Sequence, residues 1–214
     1  MYKFFKRLID ILVSLIALPF VLLEILFLAP VIHFTDKGPV FYNAERRGKD
    51  GKVFKMYKLR SMYVNSPNLK NADGSTYNSD NDPRVTKIGR IMRKTSLDEF
   101  PQFLNVLKGD MSLIGPRPTL PGQRIPVSEM DEIRQKRYSV RPGITGYAQA
   151  YYRNSITQDE KFKHDAYYAD NMSLIMDIKI IFQTVLSVIG QKNINVAESL
   201  NIGEAKEKET VKTE

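Results

Sequence analysis

Residues 11–32, "ILVSLIALPFVLLEILFLAPVI", form a run of 22 residues with one charge, Glu24. As a helix rising 1.5 Å per residue it would reach ~33 Å, about the thickness of a bilayer's hydrocarbon core. A secretory signal peptide and a buried core helix pass the same test. The first calls for a small-x-small cleavage site, which does not follow the run, and the second is usually shorter. Lys3, Lys6 and Arg7 precede the run, and Lys37, Arg46, Arg47, Lys49 and Lys52 follow it. Cations favour the cytosolic side, so both ends are expected there. A straight crossing cannot satisfy that, but a helix that enters, bends and leaves can. Pro19 removes a backbone donor in mid-run, and Glu24 is cheaper in a shallow hairpin than at a bilayer centre. The expectation is a re-entrant, monotopic anchor over residues 1–34, a cytosol-facing domain over 35–190 and a polar flexible tail over 191–214.

The chain has 214 residues, long enough for one domain with a real core. Its 32 Lys and Arg against 24 Asp and Glu give a formal charge of +8. That excess suits nucleic acid, an anionic membrane surface or a phosphorylated substrate, without choosing among them. Cys is absent and only His33 and His164 represent histidine. Disulfides and thiolate metal sites are therefore excluded, and a histidine zinc site is not expected.

Past the anchor, "RRGKDGKVFKMYKLRSM" (46–62) reads as a hairpin turning at Lys49-Asp50-Gly51 into a strand. Alternation over 52–60 puts Phe54, Met56, Lys58 and Arg60 on one face. Two cations at the outer end of that face also fit a solvated, protected sheet edge. Residues 66–82 are polar and turn-rich, a loop of unusual length. "PRVTKIGRIMRK" (83–94) reads as a short basic helix with Ile88, Ile91 and Met92 on one face.

The central stretch is "RKTSLDEFPQFLNVLKGDMSLIGPRP", residues 93–118. Ser96 and Glu99 have capping-box spacing, but Pro101 argues for a cap at Leu97 or Asp98 instead. Either register puts Asp98 and Glu99 at a helix N-terminus, which favours negative charge. Phe100, Phe103, Leu104 and Leu107 would form the apolar face, and Gly109 the C-terminal stop. Acids in a first helical turn are also ordinary capping. Here Arg93 lies upstream, and Arg117 sits in a Gly-Pro-Arg-Pro loop whose prolines restrict the backbone. A carboxylate among arginines, with room for a divalent cation, is what transfer of a phosphoryl-type group requires. The same residue types also fit a purely structural salt-bridge cluster.

These motifs carry a family resemblance. "FKRLIDI" (5–11), residues 38–62, residues 82–118, "RPGITGYAQ" (141–149) and "DIKIIFQT" (177–184) together resemble the bacterial sugar transferases. These monotopic phosphoglycosyl transferases start glycan assembly on a polyprenyl phosphate. The resemblance spans roughly residues 4 to 185, and its long central motif is not a generic pattern. It implies a re-entrant helix, an α/β catalytic domain on the cytoplasmic face of the bacterial inner membrane, and Mg²⁺. It further implies transfer of a sugar-1-phosphate from a UDP-sugar to polyprenyl phosphate, with release of UMP. Asp98 falls at the family's nucleophile and Glu99 at its partner acid, implicated in metal binding. Arg93 and Arg117 fall at phosphate-contacting positions, Lys58 and Arg60 at the "YK-x-R-S-M" element, and Asp177 at a supporting acid. Many members bend the membrane helix at Ser-Pro, whereas the prolines here follow Leu18 and Ala29.

Arg141, before a Pro-Gly turn, could contact the nucleotide or support the turn. Tyr147, Tyr151 and Tyr152 could stack on uracil or simply pack. "KFKHDAYYAD" (161–170) reads as an amphipathic helix whose His164 lacks an obvious catalytic partner. "SLIMDIKIIFQTVLSVIG" (173–190) is apolar nearly all round, with a polar stripe of Asp177, Gln183, Thr184 and Ser187. Such a helix belongs in a core or at a membrane interface. The expected fold is a small mixed α/β domain with a short β-hairpin, several amphipathic helices and the N-terminal re-entrant helix. The expected partners are a UDP-sugar, polyprenyl (undecaprenyl) phosphate and membrane lipids, with the sugar and the oligomeric state left open. The rival from another class is a non-catalytic, membrane-anchored basic protein. It would spread its cations and interleave them with aromatics to bind a polyanion, and it would tolerate loss of Asp98. Cations converging on acids argue against nucleic acid.

Overall fold

A computed structural model of the chain describes residues 2–190, except 68, 70–76, 78, 80, 81, 123, 124 and 154. Most of the polar loop expected at 66–82, and the whole tail from 191, lie outside the described residues. The fold is mixed α/β, with two small sheets among seven helices in the described residues.

Helix α1 runs from Tyr2 to Asp36, with Pro19 and Pro30 inside it. At 1.5 Å per residue its 35 residues span ~52 Å. Neither proline ends the helix. Its exposed face carries Phe4, Leu12, Ile16, Phe20, Leu23, Phe27 and Phe34, while Asp10, Ser14, Val21 and Ile32 are buried. It is the one described helix long and apolar enough to cross a membrane. Its two ends are fastened to the same body. Near the N-terminus, Lys6 Nζ lies 2.7 Å from Asp177 Oδ2, and Asp10 Oδ1 accepts from Ser112 Oγ and the Leu113 amide, each at 3.0 Å. Near the C-terminus, Asp36 Oδ2 accepts from Arg60 Nη1 at 2.6 Å and from the Val64 amide at 2.9 Å.

Strands β1 (Ala44–Arg47) and β2 (Val53–Met56) form the expected antiparallel hairpin. Its turn at Lys49–Gly51 holds Asp50 and Gly51 at positive φ. The regular strand stops at Met56. Beyond it, residues 57–60 pair irregularly with 40–42, through Tyr42 N to Lys58 O and Arg60 N to Val40 O, each at 2.8 Å. Lys58 and Arg60 therefore do not share the outer face of a regular strand.

Helix α2 (Lys87–Thr95) is capped by Thr86, whose hydroxyl accepts from the Gly89 amide at 2.9 Å. Of its expected apolar face, Met92 is buried and Ile88 packs with it, but Ile91 is exposed. A 3₁₀ turn at Leu97–Glu99 leads to α3 (Gln102–Lys108), which Gly109 ends at φ 95° as expected. The buried positions of α3 are Gln102, Asn105 and Val106, not the anticipated phenylalanine–leucine face, which is only partly covered. Asn105 explains the rotation. Its Oδ1 accepts from the Tyr57 amide at 2.8 Å and its Nδ2 donates to Lys55 O at 2.7 Å, so it laces β2 to α3.

Strand β3 (Ser112–Ile114) pairs in parallel with β4 (Gly143–Thr145), and α4 (Glu132–Tyr138) lies between them in sequence. Next come α5 (Tyr147–Tyr151), α6 (Gln158–Asp170), which opens on a complete Thr157/Glu160 capping box, and α7 (Leu174–Ile189). On α7 the polar stripe faces inward. Asp177 and Ser187 are buried, while Ile175, Ile178, Phe182 and Val185 face outward. A helix with its apolar face turned away from the core is suited to a membrane interface.

The loop after β3 and the turn before β4 interlock through glycines. A Cβ on Gly143 would lie 2.1 Å from the Gly115 amide nitrogen and 2.2 Å from Thr145 O. Both are backbone atoms that cannot rotate aside. Gly143→Ala is expected to destabilise the domain by about 1–3 kcal/mol. The check is a melting temperature several degrees lower.

Candidate active site

The 3₁₀ turn carries Asp98, which is 2% exposed, and Glu99 beside it. Neither acts as a helix cap, because α3 begins three residues after Glu99 and Ser96 makes no side-chain cap. Cations from separate elements surround the pair. Lys58 Nζ reaches 2.9 Å from Asp98 Oδ2 and 3.1 Å from Glu99 Oε1. It is delivered there by the backbone, since the Leu59 amide donates to Asp98 O at 3.0 Å and the Tyr57 amide is held by Asn105. Arg117 grips Glu99 with both arms of its fork, Nη2 to Oε1 at 2.7 Å and Nη1 to Oε2 at 3.4 Å.

The electrostatics follow from that geometry. Burial acts to raise Glu99, but the Arg117 and Lys58 charges outweigh it and hold the carboxyl well below the usual carboxylate range. Burial likewise works against the Lys58 ammonium, yet Glu99 and Asp98 push its pKa upward. Both carriers of charge stay ionised at neutral pH. About half of the Arg117 side chain remains exposed, so it can turn donors toward an incoming anion.

Arg117 is itself positioned. Its loop is stitched to the second sheet by Gly115 N to Thr145 O at 2.9 Å and Gly143 N to Pro116 O at 3.0 Å. Its carbonyl accepts from Arg137, a buried side chain whose Nε is 2.9 Å from Asp165 Oδ2. Arg93, on the last turn of α2, donates from Nε to Ser61 Oγ at 2.9 Å and feels the Asp98 and Glu99 charges without a direct ion pair to either.

Three anticipated site residues do other work. Arg60 makes hydrogen bonds to Asp36, Pro39 O, Ile32 O and Met62 O, so it clamps the C-terminal end of α1 and is not free to meet phosphate. Asp177 accepts from Tyr2, Lys6 and Tyr168, at 2.5, 2.7 and 2.7 Å, and fastens the N-terminal end of α1 to α7. Arg141 is exposed and donates to Gly109 O at 2.9 Å, at the C-terminal end of α3.

Three further residues come to the site unforeseen. Arg46 on β1 feels the charges of Arg117 and Glu99, as does Arg153, which sits at φ 49° after α5. Glu24 on α1 feels Asp98. Arg46 lay inside a quoted basic run that offered no reason to choose it over its neighbours. Arg153 and Glu24 reach the site only through long-range packing, which no local spacing reports. The tyrosines pack mainly on one another and on His164, which stacks on Tyr152 with ring centroids 4.4 Å apart.

Two adjacent acids, one with buried oxygens and the other gripped by a lysine and an arginine, with two more arginines within electrostatic reach, form a dense charged cluster of the kind that meets phosphate groups. The family model described as "Bacterial sugar transferase" matches residues 1–191. The UDP-N-acetylgalactosamine-undecaprenyl-phosphate N-acetylgalactosaminephosphotransferase of Aeromonas hydrophila is 42% identical over 88% of this chain and 44% of its own length. The UDP-glucose:undecaprenyl-phosphate glucose-1-phosphate transferase of Klebsiella pneumoniae is 40% identical over 85% of this chain and 39% of its own. The sugar transferase EpsL of Bacillus subtilis, uncharacterized, is 40% identical over 88% of this chain and 89% of its own. The chain thus spans less than half of the first two relatives and most of the third. It belongs to the bacterial sugar transferase family.

Proposed function

We propose that the protein transfers a sugar-1-phosphate from a UDP-sugar to undecaprenyl phosphate, releasing UMP, as a membrane step of surface-glycan assembly. The observation that carries this is the Lys58–Asp98–Glu99–Arg117 cluster, an acid pair built into a cationic pocket. The named activities of the Aeromonas and Klebsiella relatives support it.

In this reading the Asp98 carboxylate attacks the sugar-bearing phosphorus, and the bond to UMP breaks. The electron pair leaves with UMP, and the phosphosugar is left on Asp98 in an acyl-phosphate linkage. An oxygen of the lipid phosphate then attacks the same phosphorus and expels Asp98 as a carboxylate. Arg117, Arg46 and Arg153 offset the diphosphate's charge, and Lys58 keeps the acid pair from repelling it. Asp98 and Glu99 supply hard oxygen donors, but among the described residues no third acid or histidine joins them as a ligand group. That suits Mg²⁺, which binds through one or two carboxylates and completes its shell with waters and substrate phosphates. When bound, it would neutralise the diphosphate and assist departure of UMP.

The topology follows the same reasoning. Both ends of α1 are tied to one body, while the helix between exposes aromatic and aliphatic side chains. That supports a monotopic, re-entrant seat on the cytoplasmic face over a crossing, which would pull the two ends apart. The chain has no native cysteine, so single cysteines introduced at positions 3 and 45 report topology directly. In intact cells both should resist an impermeant thiol reagent, and labelling of only one would mean a crossing. The function itself is tested by incubating the protein with undecaprenyl phosphate, Mg²⁺ and a panel of UDP-sugars. UMP release with a lipid diphosphosugar product is expected for at least one sugar. No release across the panel, or a product lacking the transferred phosphate, would refute the assignment.

A further inference from the structure

Glu24 is the lone charge in the apolar run of α1, and both of its carboxyl oxygens are buried without a hydrogen-bond partner. A buried polar group left unpaired is costly and calls for an explanation. The packing shows where a partner would sit. Ile25 and Leu28 of α1 pack into the cluster of Ile32, Leu59 and Met92, with Leu97 against it. Leu59 follows Lys58 and Leu97 precedes Asp98, so this stretch of α1 lies over the catalytic turn. Glu24 adjoins Ile25 and shares a helix face with Leu28, four residues on. Around it on the same helix, Phe20, Leu23 and Phe27 are exposed.

We propose that the Glu24 carboxyl group donates a hydrogen bond to the phosphate of the polyprenyl acceptor and so seats the lipid head beside Asp98. This rests on the transferase reading above. The acceptor is favoured over the nucleotide sugar because its hydrocarbon chain must stay in an apolar medium. Glu24 is the polar group on the element that offers one, whereas Arg46, Arg117 and Arg153 come from other parts of the fold. The donor role requires the neutral acid, since a carboxylate would repel a phosphate. Among the described residues no cation pairs with its buried oxygens, and an unpaired carboxyl in apolar surroundings favours its neutral form. The other ionisable groups on the elements packed here are accounted for. Lys58 pairs with Asp98 and Glu99, Arg60 with Asp36, Arg93 with Ser61, and Lys108 with Asp110, while Arg90 is on the exposed side of α2.

The sign follows. A neutral donor is lost as pH rises through the Glu24 titration, so acceptor affinity should fall with rising pH in the wild type. Glu24→Gln keeps a neutral donor at every pH, and Glu24→Leu has none. The test measures binding of undecaprenyl phosphate to detergent-purified protein without UDP-sugar, from pH 6 to 9, beside KM for each substrate and the melting temperature. Across that range the wild-type lipid Kd should weaken by about tenfold or more relative to that of the Gln variant, since ionisation of the lipid phosphate itself affects both alike. Leu should bind about tenfold more weakly already at pH 6, the loss typical of a hydrogen bond to a charged group. The UDP-sugar KM should be unchanged in all three. Parallel Kd profiles for wild type and Gln at unchanged melting temperature, or an effect confined to the UDP-sugar KM, would overturn the proposal. Wild-type protein that binds the lipid with the predicted pH dependence yet transfers nothing would refute the transferase reading alone. Protein that binds no lipid phosphate at any pH would refute Glu24 as its seat.

Discussion

Asp98→Asn is expected to fold normally and to lose sugar-phosphate transfer by about 10⁴-fold or more, since it removes the proposed attacking atom itself. The change is isosteric, and it leaves the turn's backbone bond to Leu59 intact. Lys58 keeps Glu99 as a partner at 3.1 Å, so no cation is stranded in the buried site. The melting temperature should therefore stay within a few degrees. Loss of a general base would more typically cost ~10²–10⁴-fold, so the size of the defect begins to separate the roles. The decisive observation is a covalent one. Wild-type protein with UDP-sugar, Mg²⁺ and no lipid should release about one equivalent of UMP and gain the mass of one sugar phosphate, mapped to Asp98. Release of UMP only when lipid is present, with no adduct trapped, would mean direct in-line transfer and would reduce Asp98 to a base or metal ligand.

The acid pair and its cations were legible because they lie in short, unusual strings of sequence. Asp98, Glu99 and Arg117 fall within 20 residues of one another, and the prolines around Arg117 advertise a held loop. The hairpin before them was equally plain, since Gly-Lys-Asp-Gly ahead of the alternating Val53–Met56 stretch is strong turn chemistry. Arg60 shows where such reading stops. Alternation over 52–60 assumed a regular strand, but the strand ends at Met56, and the backbone then turns Lys58 and Arg60 to different partners. Only the tertiary placement of Asp36, at the far end of α1, decides that Arg60 is a clamp. The partners of Asp177 were hidden for the same reason, because Tyr2 and Lys6 are more than 170 residues away.

The helical faces teach a related lesson. Periodicity marks an apolar stripe but does not say what covers it. On α7 the narrow polar stripe turned out to be the inner face, where Ser187 donates to Ala150 O at 2.7 Å and Thr184 shares a 2.7 Å bond with Thr145. Most of its hydrophobic residues face outward, as they do along α1, with Ile180 the buried exception on α7. For an aqueous domain this would be inside out. For one seated on a bilayer it is the expected arrangement, with lipid taking the place of a second protein layer. Buried polar contacts such as Asp10 with Ser112 then orient α1 on the body, because apolar surface facing lipid cannot.

Chelation is expected to abolish transfer, Mg²⁺ to restore it, and Glu99→Gln to leave a severely impaired enzyme. The reasoning is electrostatic. A nucleotide sugar and a lipid phosphate bring several negative charges toward an acid pair, and Lys58 already faces both acids while Arg117 grips Glu99. A divalent cation supplies the charge those side chains cannot. Glu99→Gln removes the proposed hard ligand and at the same time loosens Lys58 and Arg117, so defects in metal affinity and in phosphate binding should appear together. Removing one preorganised charge-stabilising group commonly costs ~10²–10³-fold in turnover, and loss of two linked functions should reach or exceed that. The fold should persist, because Arg117 is half exposed and Lys58 retains Asp98. The Mg²⁺ concentration for half-maximal activity should rise in the Gln variant while the wild-type value stays fixed. An unchanged Mg²⁺ requirement with lowered turnover would move Glu99 from the metal to the task of positioning Arg117, and full activity in excess chelator would remove the metal from the mechanism altogether.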